Sequence, residues 1–298
     1  MKEPRNTRPV IAGVDGSPQS IAAARWAAAE AVRRGAPLRL LHVWPWLPHL
    51  LPGAPGPSAL QVETRRMLAR AQADLRTEHP DLAVDTALLT VSTPDSLVTA
   101  AEEGQLLVLG SRGLGGFKGL LLGSTGLATA ARAGCPVVLV RAGGPALPVP
   151  GAHAARALPV VLGLDARHPD DTLIEFALQA AAQRGTRLRI VHAWGLPPLW
   201  SVYPMHLGEG ERGEMEDTET QLLRDAVLGR QEKYPDLDIR PDVRLGSAAE
   251  TLVDEAEHAC LVIVGRRLHR PPLGLRLGPV AHAVMHYAAC PVAVVPHP

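Results

Sequence analysis

Glycine is concentrated in one stretch of the chain, "VLGSRGLGGFKGLLLGST" at residues 108–125. A glycine adopts a positive φ without strain and lets a ligand approach the backbone closely. The stretch follows a short apolar run and precedes a helix pattern of small residues, so it marks a strand-to-helix junction. Backbone N–H groups at such a junction favour an anion. The stretch therefore predicts an anion cradle, and a merely flexible connection is the alternative.

Polar residues in this stretch suit a phosphate ligand. Ser124 begins the expected helix, and its hydroxyl and that of Thr125 can donate to phosphate oxygens. Gly110 and Gly113 let successive N–H groups point inward as a nest. Arg112 adds positive charge, as does the lysine six residues after it. These residues together favour a phosphate over another anion.

Asp15 closes an earlier apolar run, residues 10–14. A carboxylate cannot attract a phosphate by charge. Asp15 therefore suits a hydroxyl, an amine or a bound Mg²⁺ ion.

The glycine spacing excludes two common phosphate motifs. No G-x-x-x-x-G-K-[ST] occurs, and a G-x-G-x-x-G beginning at Gly113 would need a third glycine where Lys118 stands. The pattern that fits is G-x2-G-x9-G-[ST], formed by Gly110, Gly113, Gly123 and Ser124.

The elements that position these residues occur twice, which decides the architecture. Residues 9–44 align with residues 159–194 at an offset of 150, which places Asp165 opposite Asp15. The "CPV" that opens the last expected strand recurs at an offset of 155, so the second copy carries an insertion of five residues after Trp194. We predict domains at residues 1–142 and 158–298, joined by a linker rich in Pro, Gly and Ala at 143–157.

Strands alternate with helices in each copy. In the first copy the pattern predicts strands at 10–14, 38–44, 83–89, 106–109 and 136–140. It predicts helices at 18–34, 60–78, 94–103 and 124–133. This alternation, with strands apolar on successive residues, predicts an α/β fold with a buried parallel sheet. Ligands of such sheets bind at the carboxyl ends of the strands.

The complete motif of the first copy, with an Asp after strand one and "CPV" opening strand five, resembles the universal stress protein family. The resemblance spans both copies and indicates the tandem two-domain form. It implies two doubly wound domains, each a five-stranded parallel sheet of order 3-2-1-4-5 with about four helices. It also implies ATP, with Mg²⁺ possible, bound between strands one and four.

The resemblance implies that backbone around Val43 and Leu109 contacts the base and ribose of ATP, and that Asp15 meets an adenosine hydroxyl or amine. We predict no catalytic residue, and no metal site other than Mg²⁺ reached through Asp15. The residues expected to bind ATP are Gly13, Asp15, Val43, Leu109, Gly110, Arg112, Gly113, Gly123, Ser124 and Thr125.

The second copy departs from the motif. Gly265, Gly278 and Asp165 keep their places, but Leu268 replaces the second glycine and Pro279 replaces the hydroxyl residue. If the Gly113 position needs a positive φ, leucine at the matching Leu268 position costs about 1–3 kcal/mol. Pro279 removes both an N–H group and a hydroxyl. We therefore expect the second copy to bind ATP weakly or not at all.

These features favour a nucleotide-binding regulatory protein of the stress response. The alternatives are a nucleotide-independent interaction module and a slow ATPase. No general base near a γ-phosphate can be assigned, so we expect no enzyme beyond weak ATPase activity.

Composition narrows the partners and the location. Basic and acidic residues balance at 30 each, which disfavours nucleic acid and acidic membranes as partners. No apolar run reaches a membrane span, and three cysteines without a C-x-x-C fit a reducing compartment, so we expect a cytoplasmic protein. Fifth strands commonly pair in the resembled family, which implies an intrachain pseudo-dimer. A homodimer and an unknown protein partner remain open.

Other residues have more ordinary interpretations. His42 and His192 lie inside expected strands, where a packing role is the default. Ser17 is expected to cap the first helix, with proline following at its first position. His282 and His286 have the spacing of a zinc pair but no evident third ligand, so we expect a structural role.

Overall fold

The computed structural model describes residues 8–44, 57–89, 93–112, 122–142, 158–195, 209–268 and 277–298. The chain divides into two compact units, Met1–Gly144 and Pro145–Pro298. The predicted linker at 143–157 lies outside the described residues, so its boundaries stay a prediction.

The first unit is a parallel sheet with helices packed against it. Its strands are β1 Val10–Gly13, β2 Leu38–Val43, β3 Val84–Leu89, β4 Leu106–Gly110 and β5 Val137–Val140. Its described helices are α1 Pro18–Arg33, α2 Pro57–Glu78, α3 Thr93–Glu103 and α4 Ser124–Ala130. The strand order is β3-β2-β1-β4-β5 and every pair is parallel. The predicted fold is confirmed, although α4 ends three residues earlier than expected.

The sequence explains where α1 begins and ends. The Ser17 side chain accepts a hydrogen bond from the Ser20 N–H, and Pro18 takes the first helical position. Gly35 follows the helix with φ +58°, a left-handed conformation that favours glycine. The predicted cap is confirmed, and it fixes α1 directly after Asp15.

Burial of the strands accounts for their continuous apolar sequences. Val10, Ile11 and Ala12 are fully buried in β1, and Leu106 and Leu107 are fully buried in β4. The helix α1 packs against α2, and α3 packs against α4. Two helix pairs around a buried parallel sheet form the doubly wound arrangement.

The second unit repeats this design. Its strands are β6 Val160–Gly163, β7 Leu188–Trp194, β8 Ile239–Leu245, β9 Leu261–Arg267 and β10 Val292–His297. Its described helices are α5 Asp171–Arg184, α6 Glu209–Leu228, α7 Ala248–Glu255 and α8 Pro279–Tyr287, with short 3₁₀ turns at Gln231–Lys233 and Ala256–His258. The order β10-β9-β6-β7-β8, with every pair parallel, matches that of the first unit.

Two shifts distinguish the second unit. Helix α5 is capped by Asp170, the counterpart of Ser20 at the repeat offset of 150, so it begins about one turn later than α1. Strand β9 continues through Arg267, whereas the matching β4 stops at Gly110. Both shifts lie at the carboxyl ends of the strands, where ligands of this fold class bind.

The three cysteines, Cys135, Cys260 and Cys290, are free thiols and are buried. Among the described helices, none combines the length and apolarity that crossing a membrane requires.

Candidate functional site

The carboxyl edge of the first unit, where β1, β2 and β4 end, brings the predicted polar residues together. Strand β1 lies between β2 and β4, so Asp15 after β1 and the glycine stretch after β4 leave the sheet side by side. The Asp15 Oδ1 atom accepts the Ser17 N–H at 2.9 Å, and the Asp15 N–H donates to the Ser20 Oγ atom at 3.2 Å. These two bonds hold the carboxylate at the start of α1.

Val43 presents its backbone at this edge. The Val14 N–H donates to the Leu41 carbonyl at 2.8 Å, which shows that Leu41 faces β1. Alternate residues of a strand direct their backbone groups to the same side, so Val43 also faces the β1 side. Because β1 ends at Gly13, the Val43 donor and acceptor lie beyond their neighbouring strand. This geometry supports the predicted contact between Val43 backbone and a planar base.

His42 has a specific role rather than the default packing role. Its Nδ1 atom lies 2.6 Å from the Val14 carbonyl oxygen, where β1 ends. The ring ties β2 to the segment that carries Asp15. Its sequence neighbours gave no sign of this contact.

Gly110 is required by packing. A Cβ atom there would lie 2.8 Å from the Gln19 carbonyl carbon and 2.9 Å from the Ser20 nitrogen, so α1 approaches β4 at this point. Gly110 does not have a positive φ, and it pairs with Val140 as a strand residue. Because Gly110 is a strand residue, the expectation that it forms a nest of N–H groups is wrong. Glycine is required here because a Cβ atom would collide with the backbone of α1.

Gly13 has a similar packing role. A Cβ atom on Gly13 would lie 2.5 Å from the Leu109 Cδ2 atom and 3.8 Å from the Leu97 Cδ2 atom. Gly13 and Leu109 thus shape the apolar floor beneath the carboxyl edge, with Leu109 buried. Their part in binding stays a prediction.

One backbone hydrogen bond joins the two ends of the glycine stretch. The Gly123 N–H donates to the Ser111 carbonyl at 2.7 Å, and the Ser111 N–H donates to Val140. Ser124 and Thr125 follow directly, with Ser124 exposed and Thr125 half-buried. The bond places the first residues of α4 next to the end of β4, and the binding role of their hydroxyls stays a prediction.

The rest of the predicted site is only partly described. Arg112 is exposed immediately after Ser111. Gly113 and Lys118 lie outside the described residues. Within the described ranges, no cluster of three or more His, Cys, Asp or Glu side chains could hold a metal ion.

The carboxyl edge of the second unit carries more charged side chains. Asp165 accepts the Arg167 N–H at 3.1 Å and lies 3.0 Å from the His168 Nδ1 atom. Burial alone would raise the pKa of Asp165, but the hydrogen bonds from His168 and Arg167 and the charges of His168 and His192 lower it below its ordinary value. Asp165 is thus an ionised acceptor at neutral pH.

The sequence analysis did not predict a buried contact between a histidine and a glutamate near Asp165. The His192 Nε2 atom lies 3.1 Å from the Glu219 Oε2 atom, and both side chains are at most 5% exposed. Arg167 binds the other Glu219 oxygen. At the repeat offset of 155, Glu219 stands where the first unit has the buried Thr64. A carboxylate in place of a hydroxyl is the signal that would have revealed the pair.

Leu268 is not in a strained backbone conformation, and the φ of Gly113, on which the expected cost depends, lies outside the described residues. No described residue other than glycine has a positive φ. Strand β9 runs on to Arg267, and the Leu268 N–H donates to the His297 carbonyl at 2.7 Å. Leucine is accommodated because the backbone continues the strand pairing.

His297, the last residue of β10, lies against Gly265 and pairs with Arg267 of the extended β9. A Cβ atom on Gly265 would lie 2.6 Å from the His297 Nε2 atom, and the His297 Nδ1 atom lies 3.5 Å from an Asp170 carboxylate oxygen. Burial lowers the pKa of His297, a shift that Arg267 reinforces and Asp170 opposes.

A cavity of about 690 Å³ lies at the carboxyl edge of the second unit, and its polar lining includes Asp165, Asp170 and His297. Its apolar lining includes Leu164, Trp194, Leu252 and Val264. The volume is in the range of small-molecule sites.

The geometry defines a class: two doubly wound α/β units, each with a polar edge at the carboxyl ends of its strands. The model of the universal stress protein family matches residues 6–141 and 158–296. The chain belongs to the universal stress protein family, in its tandem form.

Relatives of similar length agree with this assignment. A universal stress protein of Mycolicibacterium smegmatis is 33% identical over 300 residues, which cover 96% of each chain. One of Mycobacterium tuberculosis H37Rv is 32% identical over 311 residues, covering 99% of each. The crystal structure of a universal stress protein from Archaeoglobus fulgidus DSM 4304 matches with a TM-score of 0.64 at 15% identity, over 98% of this chain and 99% of that one. The structural likeness extends the assignment to the fold.

Proposed function

We propose that the first unit binds ATP at its carboxyl edge and that the protein acts as a nucleotide-dependent regulator in the stress response. The observation that carries the proposal is the meeting of Asp15, the Val43 backbone and the closed glycine motif at one edge of the sheet. Family membership supports it. The finer statement, that the nucleotide is ATP, rests on the motif residues.

Each part of the edge suits one part of the nucleotide. The Val43 N–H and C=O offer a donor and an acceptor for a base edge, above the apolar Gly13–Leu109 floor. Asp15 is an acceptor for a sugar hydroxyl and would reach a Mg²⁺ ion that accompanies the phosphates. Ser124 and Thr125, joined to the end of β4 through Gly123, offer hydroxyls to the phosphate chain.

The proposed role is to hold ATP rather than to turn it over. Bound ATP would order one conformation at the carboxyl edge and thereby change the surface that a protein partner meets. A cytoplasmic location and assembly through the fifth strands belong to the same proposal. The free state of all three cysteines supports the location.

Calorimetric titration of nucleotide-stripped, full-length protein with Mg-ATP tests the proposal. We expect one ATP site per chain. Asp15→Asn should weaken ATP about tenfold or more, since a hydrogen bond to a charged group contributes about 1.5–3 kcal/mol. Asp165→Asn is the matched control and should leave ATP affinity unchanged.

Other results would favour one of the alternative functions. Absence of ATP binding would overturn the proposal and favour a nucleotide-independent interaction module. Steady phosphate release above background that Asp15→Asn abolishes would favour a slow ATPase. Equal losses of ATP affinity in the Asp15→Asn and Asp165→Asn variants would show that the sites of the two units are not distinct.

A further inference from the structure

We propose that helix α8 of the second unit carries a site for a divalent transition-metal ion, held by the imidazoles of His282 and His286. The ring centroids of the two histidines are 4.6 Å apart, with 35° between the ring planes. Neither histidine is among the described residues that line the cavity at the carboxyl edge. The metal site is therefore separate from the carboxyl edge of its own unit, and ATP is proposed to bind the other unit.

The spacing of the two rings matches that of a chelating pair. Residues four apart lie on one face of an α-helix, one turn above the other. An imidazole nitrogen binds a transition metal at about 2.0–2.1 Å, so two imidazoles on one ion, at roughly 90–110° to each other, have ring centroids about 4.5–5 Å apart. The observed separation of 4.6 Å falls in this range. Changes in side-chain torsion are therefore enough to bind an ion, while the helix keeps its shape.

The surface of α8 leaves the pair accessible to an ion from solvent. His282 is exposed and His286 is half-buried. The exposure of His282 disfavours the structural role that the sequence analysis expects. His286 lies in the last turn of α8. The carbonyl end of a helix carries partial negative charge, so a bound cation is favoured there.

The first unit has no counterpart of this histidine pair. At the repeat offset of 155, His282 and His286 correspond to Leu127 and Ala131. Leu127 lies within α4, and Ala131 is the residue that caps its end. Neither side chain has an atom that binds a metal. The second unit thus places two metal ligands where the first unit has two apolar residues, which gives one site per chain.

The donor atoms determine the class of ion. Imidazole suits Cu²⁺, Ni²⁺ and Zn²⁺, and Cu²⁺ binds such ligands most tightly. Mg²⁺ and Ca²⁺ prefer oxygen ligands. In the part of the chain that the structure describes, no group of three His, Cys, Asp or Glu side chains could hold a metal ion, so water completes the coordination of the ion. A structural zinc site uses four protein ligands. The proposed site is open by comparison and lets its ion exchange.

Titration of full-length, metal-free protein with Cu²⁺ tests the proposal at pH 8, where the neutral form of imidazole predominates. We expect one site of highest affinity per chain, from which Zn²⁺ displaces Cu²⁺ only at higher concentration and Mg²⁺ does not. The EPR spectrum at substoichiometric Cu²⁺ should show two coordinated nitrogens. His282→Ala and His286→Ala should each weaken the site at least about tenfold, because the second imidazole binds an ion that the first already holds nearby. Alanine is the best helix former, so both variants should fold.

The chain holds 12 histidines, so the matched control keeps their number and breaks the spacing. His286→Ala combined with Tyr287→His moves one imidazole to an exposed position, about 140° around the helix from His282. We expect this double variant to lose Cu²⁺ affinity as His286→Ala does, which would support chelation by the pair. Affinity within about threefold of the wild type, in the double variant or in both single variants, would overturn the proposal. A wild-type EPR spectrum with a single coordinated nitrogen would also overturn it.

Discussion

The two units build the same sheet and differ where its strands end. In the first unit β4 stops at Gly110, and a bond from Gly123 to Ser111 closes the following loop. In the second unit β9 continues to Arg267, and His297 packs over Gly265. The glycine is kept at both positions for different neighbours: a helix backbone in one unit and a side chain in the other.

This difference shows that a degenerate motif can reflect a rebuilt edge. Leu268 and Pro279 alone suggest a site that has lost two contacts. The structure shows a coordinated change, in which a later start of α5, a longer β9 and the Asp170–His297 pair accompany those substitutions. The second edge is therefore an alternative arrangement on the same scaffold.

The sharpest test of this comparison replaces each strand-end glycine with alanine. Gly110→Ala places a Cβ atom within 2.9 Å of α1 backbone, which cannot move without shifting the helix. We expect it to lower the free energy of unfolding of the first unit by about 3 kcal/mol. Gly265→Ala meets the side chains of His297 and Leu173, which can shift, and should cost the second unit about 1 kcal/mol.

Urea unfolding followed by circular dichroism measures both variants. Gly134→Ala is the control, since a Cβ atom there meets nothing within 4 Å. Equal losses for Gly110→Ala and Gly265→Ala would contradict the distinction drawn between the two edges.

The buried pair of the second unit should have the next largest effect. Glu219→Thr installs the first unit's residue and leaves His192 without its carboxylate partner. We expect a loss of about 2 kcal/mol in the free energy of unfolding of the second unit, because a buried polar group loses its partner. Glu216→Thr, an exposed position on the same helix, should be neutral. If Glu219→Thr left the free energy of unfolding unchanged, the contact between His192 and Glu219 would contribute nothing to the stability of the second unit.

The smallest expected effect is a pH dependence at His297. Its pKa is lowered in the folded protein, so the stabilising neutral form is fully present above the ordinary value of 6.5. Stability is lost as the pH falls from 6.5 through the lower folded pKa. The wild type should thus lose more stability than His297→Gln between pH 7 and pH 5, as thermal unfolding at both pH values would show. Parallel losses would exclude the histidine as the cause.

Much of the fold could be predicted because the signals are local and repeated. The apolar sequences of the buried strands, the Ser17 cap and the glycine after α1 each fix an element through short-range chemistry. The strand order came from the family resemblance. The early end of α4 at Ala130 carried no local signal that we recognised.

The site was harder to predict because its contacts join distant segments. The motif located Asp15 and Ser124 at the carboxyl edge, and the structure places them there. The motif did not reveal that Gly110 makes room for the backbone of α1. The close approach of α1 to β4 depends on how a helix crosses a strand, which no short motif encodes. The His297–Asp170 contact joins residues far apart in sequence, where no spacing rule applies.

Trp194 gives the second unit an intrinsic optical signal. Its indole ring lies in the cavity wall with a buried N–H group, so its fluorescence should respond when a ligand replaces the surroundings of the ring. The chain holds five tryptophans. Replacing the other four with phenylalanine would leave emission from Trp194 alone, and occupancy of the second unit could then be followed in real time, in unlabelled protein, while the first unit is loaded or empty.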